Sequence, residues 1–378
     1  MPMNRHDIGI RSTWQKRFPR LLLAFVLVSL LLGCQMGYTL KQGWRQLGLQ
    51  NDQVALDDPT AIESLSETER EKLAWVPHVL EFCVNELGLD PGDSYTTLLD
   101  TRDEPISYIV TASHHLALLP YKWRFPFVGE ISYKGFFDEN DAKAEEERLR
   151  SEGFDTAVYP VSAYSTLGWF RDPILSTMLE MELANFIDLL IHETTHRTLY
   201  FHDDTSFNES LATFIAREGT LRFLRRHEEL VGLIPAYLSQ GDARSQREEL
   251  MFRLKADLEA LYRSPLTDEE KLRAKKDIFG TASRAYGLLT EAETGTARTL
   301  PASNALVLGV VRYHGFESFF EALQAKLGGH PRELTAYLMD LAQHGDTATK
   351  ILKASPLRPG QRTPPSSDSQ SADREEQP

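Results

Sequence analysis

Between residues 183 and 191 the apolar side chains fall at helical spacing: Leu183, Phe186, Ile187, Leu190 and Ile191 return every three or four positions. The pattern predicts a helix with that face buried. A second apolar stripe, Leu211, Phe214, Ile215 and Leu221, predicts another helix shortly downstream. Earlier, residues 59–88 read as one helix: Thr60 can cap it, Leu65, Leu73, Val76, Val79, Leu80 and Cys83 form its apolar stripe, and Gly88 ends it. Residues 34–55, with Tyr38, Trp44, Leu47 and Leu49, read as a tether and a first helix. Residues 108–112 and 154–161 are rich in β-favouring side chains and predict strands, with a strand or bend over 127–137. Residues 138–152 predict a charged, solvated helix. Residues 219–300 predict several helices covering a groove, and a further helical run follows over 305–320. From residue 355 onward five prolines and many polar side chains leave no apolar pattern, so 355–378 is expected to be a disordered tail. Together the pattern predicts an α+β fold that is mostly helical.

The predicted helix at 183 ends in His192-Glu193-Thr194-Thr195-His196. On a helix, residues four apart lie one turn apart on one face, so both imidazoles can hold one metal ion. Glu193 projects beside them, where it can take a proton from a metal-bound water. The donor types suit zinc, and a zinc site needs a third protein ligand. Two residues compete for that place. Glu209 opens the second apolar helix and can face back across the groove. His202 lies six residues after His196, the spacing of His-Glu-x-x-His-x-x-Gly-x-x-His sites. In those sites a glycine lets the chain turn sharply, and here that position is Leu199, which is poorly suited to positive φ. The reading therefore favours Glu209. The neighbouring pair His114 and His115 points in opposite directions on an extended chain, and is expected to be surface or hydrogen-bonding residues.

With Asn208-Glu209-x-x-Ala212 following the histidine motif, the chain resembles the gluzincin zinc peptidases. The interval from His196 to Glu209 is shorter than in their common aminopeptidases. It is similar to that of a smaller family of bacterial lipoprotein-type proteins, named as aminopeptidases largely because of the zinc motif. The resemblance extends to 129–137, 163–170, 172–175 and Ser303-Asn304-Ala305 leading to Tyr313. It implies a zincin-like fold, with a small sheet beside the His-Glu-x-x-His helix. It implies zinc held by His192, His196 and Glu209, with Glu193 as general base. It also implies Tyr313 as donor to the oxyanion, with His314 and Tyr286 as rivals. A sheet edge from 129–133 or 163–168 would pair with a peptide substrate. In that segment Glu130 is the candidate for the substrate's free amine, and Tyr133 a candidate substrate contact.

The N-terminus reads as an address. Arg5, Arg11, Lys16, Arg17 and Arg20 precede an apolar run from Leu21 to Leu32, then Gly33 and Cys34. The ending resembles a bacterial lipobox, so 1–33 is expected to be a lipoprotein signal peptide and Cys34 the lipidated first residue of the domain at 34–354. Gln35 after the cysteine points to the periplasmic face of the outer membrane, with the acyl chains as anchor. Cys83 is the other cysteine and has no partner for an internal disulfide, so a buried thiol is expected. A net charge of −14 and the lack of a basic, aromatic-interleaved patch exclude nucleic acid as a partner. The reading is a zinc-dependent aminopeptidase acting on peptides. Its rivals are a zinc endopeptidase of envelope proteins and a nonenzymatic lipoprotein scaffold.

Overall fold

The computed structural model describes residues 52–56, 58–63, 65–101, 105–125, 129–161, 171–202, 204–311 and 316–354. Cys34, the first expected helix up to residue 51, the segment 163–168, Tyr313, His314 and the tail from 355 lie outside them. The chain divides into two compact units, one of Met1–Asp52 with Arg124–Ile131, the other of Gln53–Trp123 with Ser132–Pro378. Among described residues the first contains most of a hairpin, β4 (Trp123–Phe125) with β5 (Gly129–Ile131). The elements described next belong to the second.

The predicted class holds: long helices carry the unit, with two sheets of three strands each. The first sheet pairs β1 (Val54–Ala55) antiparallel to β2 (Thr97–Leu99), and β2 parallel to β8 (Ile174–Leu175). Strand β8 runs through a single tight turn of helix, Ser176–Glu180, into α4 (Leu183–Thr198). The second sheet has β3 (Ser107–His114) at its centre, antiparallel to both β6 (Lys134–Phe136) and β7 (Phe154–Val161). It packs against α3 (Glu139–Ser151) and α8 (Asn304–Val311). The sheet that leads directly into the histidine-bearing helix is thus the smaller first one.

Two expected helices are broken. Residues 59–88 form α1 (Pro59–Glu63) and α2 (Glu67–Phe82), and Thr60 lies inside α1. Ser66 starts α2 with a reciprocal capping box: its hydroxyl accepts from Glu69 N, and Glu69 accepts from Ser66 N. That Ser-x-x-Glu signal outranked the continuing apolar stripe. Leu73, Val76, Val79 and Cys83 of the stripe are buried, and the helix ends through a wider turn, Cys83–Leu87, at Gly88 with φ 68°. Likewise 305–320 is α8 followed by α9 (Glu317–Lys326).

The core has two centres. Phe186, Ile187, Leu190 and Ile191 of α4 meet Phe207, Leu211, Phe214 and Ile215 of α5 (Thr205–Arg226), all buried. Farther on, Leu250, Met251, Leu254 and Leu258 of α6 (Ile234–Arg263) pack with Phe279 and Ala282 of α7 (Asp268–Thr294) and with Val307 of α8. Buried polar groups tie this second centre to the sheet. Lys275 donates to His115 O at 2.8 Å and to Asp155 Oδ2 at 2.5 Å. Asn304 N donates to the same Asp155 oxygen, its Nδ2 donates to His114 O, and its Oδ1 accepts from Tyr262. The Ser303-Asn304 pair noted in the sequence is therefore a clasp closing α8 onto the paired strands β3 and β7. His115 Nδ1 bonds Gly153 O at the same turn, the hydrogen-bonding role expected of it.

Removing one member of a buried ion pair strands the other. Lys275→Met should lower the unfolding free energy by about 3 kcal/mol, and Lys275→Met with Asp155→Asn should recover part of it. Urea denaturation of the three proteins checks this, and single and double variants within error of wild type would contradict it.

Candidate metal centre

Helix α4 presents its motif from a largely buried position, which requires its polar residues to be satisfied locally. Thr194, Thr195 and Thr198 do this by donating to the carbonyls of Leu190, Ile191 and Thr194, each one turn back. Leu199 ends the helix in extended conformation, φ −134° and ψ 116°. With no left-handed turn there, the chain cannot fold back sharply. His202 accordingly is exposed, its ring packed against Tyr200 at 5.3 Å.

The return is made by α5 instead. Asp204 caps it by accepting from Phe207 N at 3.0 Å. Buried Asn208 binds both backbone groups of Phe201, accepting from N at 2.8 Å and donating to O at 2.7 Å. This clamp fixes the connection between the helices and sets the orientation of the next residue, Glu209. Gly219 lets α5 lie close to α4: a Cβ there would fall 2.8 Å from Leu87 Cδ1 and 3.2 Å from Ile191 Cδ1.

Three side chains consequently converge. His192 Nε2 and His196 Nε2 are 3.1 Å apart, and Glu209 Oε2 is 3.5 Å from the first and 3.3 Å from the second. Four donors arranged tetrahedrally at the usual zinc bond lengths stand about 3.3 Å apart, so all three separations fit one ion of that size. The donor set of two imidazoles and one carboxylate suits such an ion and not calcium, which takes six or more oxygens. Three protein ligands leave a further position for water or substrate. Among the described residues, His196 Nδ1 is buried with no hydrogen-bond partner.

The electrostatics match a site built for a cation. Burial raises the Glu209 carboxyl, but hydrogen bonds from His192 and His196 outweigh it and hold it down at about 2. Burial pushes the His192 imidazole down, and Glu209, Glu193 and Asp188 together raise it above its ordinary value. Asp188, one turn before His192, is raised by burial, against the hydrogen bond it accepts from Tyr237. Burial also raises the Tyr95 phenol strongly, with Glu193 next in effect. Tyr95 is a buried residue held at φ 62° with its N–H on Asp172 O, in a loop whose Asp90 N bonds Thr198 of α4. Tyr200 likewise is raised by burial and by Glu209. Sequence patterns did not single out Tyr95 or Tyr200; neither stands in a recurring motif, and only the folded loops bring them to the cluster.

Glu130 accepts from Arg124 Nε at 2.8 Å within the β4–β5 hairpin. Tyr133 is half-buried just before β6. Tyr286 packs on the apolar centre between α6 and α7. Cys83 is fully buried, and burial pushes its thiol up to about 12, as an inert thiol requires.

The sequence profile of the family described as "Putative aminopeptidase" matches residues 37–351. The chain belongs to this family. No curated protein and no solved structure matches it. The matched span contains the three converging side chains and the Glu193 beside them.

Two outcomes follow for the cluster. Glu209→Ala should lose its metal on dialysis and His202→Ala should keep it, read by metal analysis; the opposite ranking would contradict the donor set. In chelator-treated protein, the depressed Glu209 contributes stability above its ordinary pKa of 4.5 that is lost as pH falls towards 2. The raised His192 contributes below its ordinary 6.5 and loses this as pH rises through its folded value. The destabilisation caused by Glu209→Gln should therefore be greatest between pH 4.5 and 6.5, and a flat difference in pH-dependent melting would contradict it.

Proposed function

We propose that this protein is a zinc-dependent aminopeptidase of the gluzincin kind, acting on peptides. The observation that carries the reading is the set of three donor separations, 3.1, 3.3 and 3.5 Å, with an acid one residue along the same helix. His192, His196 and Glu209 would hold the ion, and when bound it would supply Lewis acidity towards a water and a carbonyl. Glu193, on the same turn as His192, would take the proton of the attacking water and return it to the leaving amine. The hydroxyl of Tyr313 is assigned to the oxyanion by the family resemblance. Glu130 and Tyr133 are assigned to the substrate on the same ground, Glu130 with its charge shared by Arg124.

The address at the N-terminus completes the proposal: cleavage after Gly33, lipidation of Cys34, and tethering to the periplasmic face of a bacterial outer membrane. Among the described residues no helix is long and apolar enough to cross a membrane. The tether is assigned to the acyl chains by the lipobox resemblance at Gly33-Cys34.

Glu193→Gln should reduce turnover by about a thousandfold or more while the bound metal stays at wild-type level, since the base is lost and the ligands remain. Full turnover in that variant, measured with peptide amides, would remove Glu193 from the mechanism. Acetylating the substrate's N-terminus should abolish cleavage; undiminished cleavage would make the enzyme an endopeptidase.

A further inference from the structure

A shallow cleft begins one helical turn from the metal ligands. On α4 it is lined by Asp188, one turn before His192. On α5 it is lined by Thr213 and Arg217, one and two turns after Glu209, or about 6 and 12 Å along the helix. Helix α6 closes it with Tyr237, Arg244 and Glu248. Leu238 is the only aliphatic lining residue, and the other lining side chains bring polar groups and their carbon stems.

Its charges divide into used and unused. Asp188 accepts from Tyr237, and Glu248 and Glu317 have partners of their own. Arg217 and Arg244 lie within electrostatic range of Asp188, yet neither makes a hydrogen bond or an ion pair among the described residues. Asp242 is the one acid left at the rim, on the exposed surface of α6. Two solvent-exposed guanidiniums are thus the spare hydrogen-bond donors of the cleft that carry charge. A guanidinium is planar, permanently charged and matched to a carboxylate through paired N–H donors.

We propose that Arg217 and Arg244 grip a carboxylate of the substrate peptide. Resting on the peptidase reading above, this places the scissile bond at the metal and the carboxylate in the cleft. An extended peptide rises about 3.3–3.6 Å per residue, so two to four residues cover the distance along α5. The carboxylate is either the C-terminus of a di- or tripeptide or the side chain of an acidic residue beyond the cleaved bond. The first source makes the enzyme one of short peptides; the second makes it selective for acidic sequences. The acidic surroundings oppose free anions, so the carboxylate must be delivered by a peptide already held at the metal.

Calorimetric titration of zinc-loaded, full-length Glu193→Gln protein tests this without requiring turnover. The ligands are trialanine, trialanine amide and Ala-Glu-Ala amide. Trialanine should bind at least about tenfold more tightly than its amide, and Arg217→Gln with Arg244→Gln should remove that advantage while leaving the amide unchanged. Recovery of the advantage by Ala-Glu-Ala amide assigns the grip to side chains, and its failure to recover assigns it to the C-terminus. Equal affinity for all three ligands, or no binding of any, overturns the proposal. If discrimination is seen but wild-type enzyme cleaves none of the three, the peptidase reading falls and the carboxylate grip stands.

Discussion

The two hydrogen bonds between Asn208 and the backbone of Phe201 are the constraint on which the centre depends. Helix α4 by itself supplies two imidazoles and an acid on one surface. It cannot supply the third donor, because Leu199 leaves it extended and His202 turns to solvent. The chain must reverse and start a second helix at one rotational setting. Asp204 caps that helix and Asn208 holds the incoming strand of chain, so Glu209 is delivered to both histidines at once. Both hydrogen bonds are buried, where losing a partner costs most. The asparagine of the Asn-Glu pair thus positions the glutamate.

The same burial that shapes the centre sets its chemistry. Two imidazoles and a carboxylate enclosed together can be reconciled by a proton or by a metal ion. The depression of Glu209 and the elevation of His192 express that competition. A cation at the meeting point of the three atoms answers all of it. Around this point the acids are layered, Glu193 beside His192 and Asp188 a turn behind it, while the unpaired arginines stand farther out in the cleft. Charge thus changes sign with distance from the centre, as it does along a peptide from a free amine to a carboxylate.

Much of this was legible in the sequence, and for a physical reason. The stripe 183–191 and the His-Glu-x-x-His frame share one helical period, so helix, buried face and donor pair were read together. The choice of Glu209 over His202 rested on what Leu199 cannot do at positive φ, and the backbone follows that choice. Strands β3 and β7 were legible because their β-branched and aromatic residues are consecutive. What failed was punctuation. The capping box at Ser66 splits an apolar stripe that looked continuous, because a local pair of hydrogen bonds ends a helix whatever the hydrophobic period does beyond it. What could not be read was distance between segments remote in the chain. Asn304 is a clasp because Asp155, His114 and Tyr262 meet it in space. Tyr95 approaches Glu193 only because its loop is tied to Asp172 and Thr198.

The most direct test of the centre is X-ray absorption at the zinc edge of the purified, full-length protein, with metal content measured on the same sample. The account requires one zinc per chain, with a single shell of nitrogen and oxygen donors at about 2.0–2.1 Å and scattering from two imidazoles. Three imidazoles in that shell would put His202 or another histidine in place of Glu209. Protein that takes up no zinc would contradict the centre altogether.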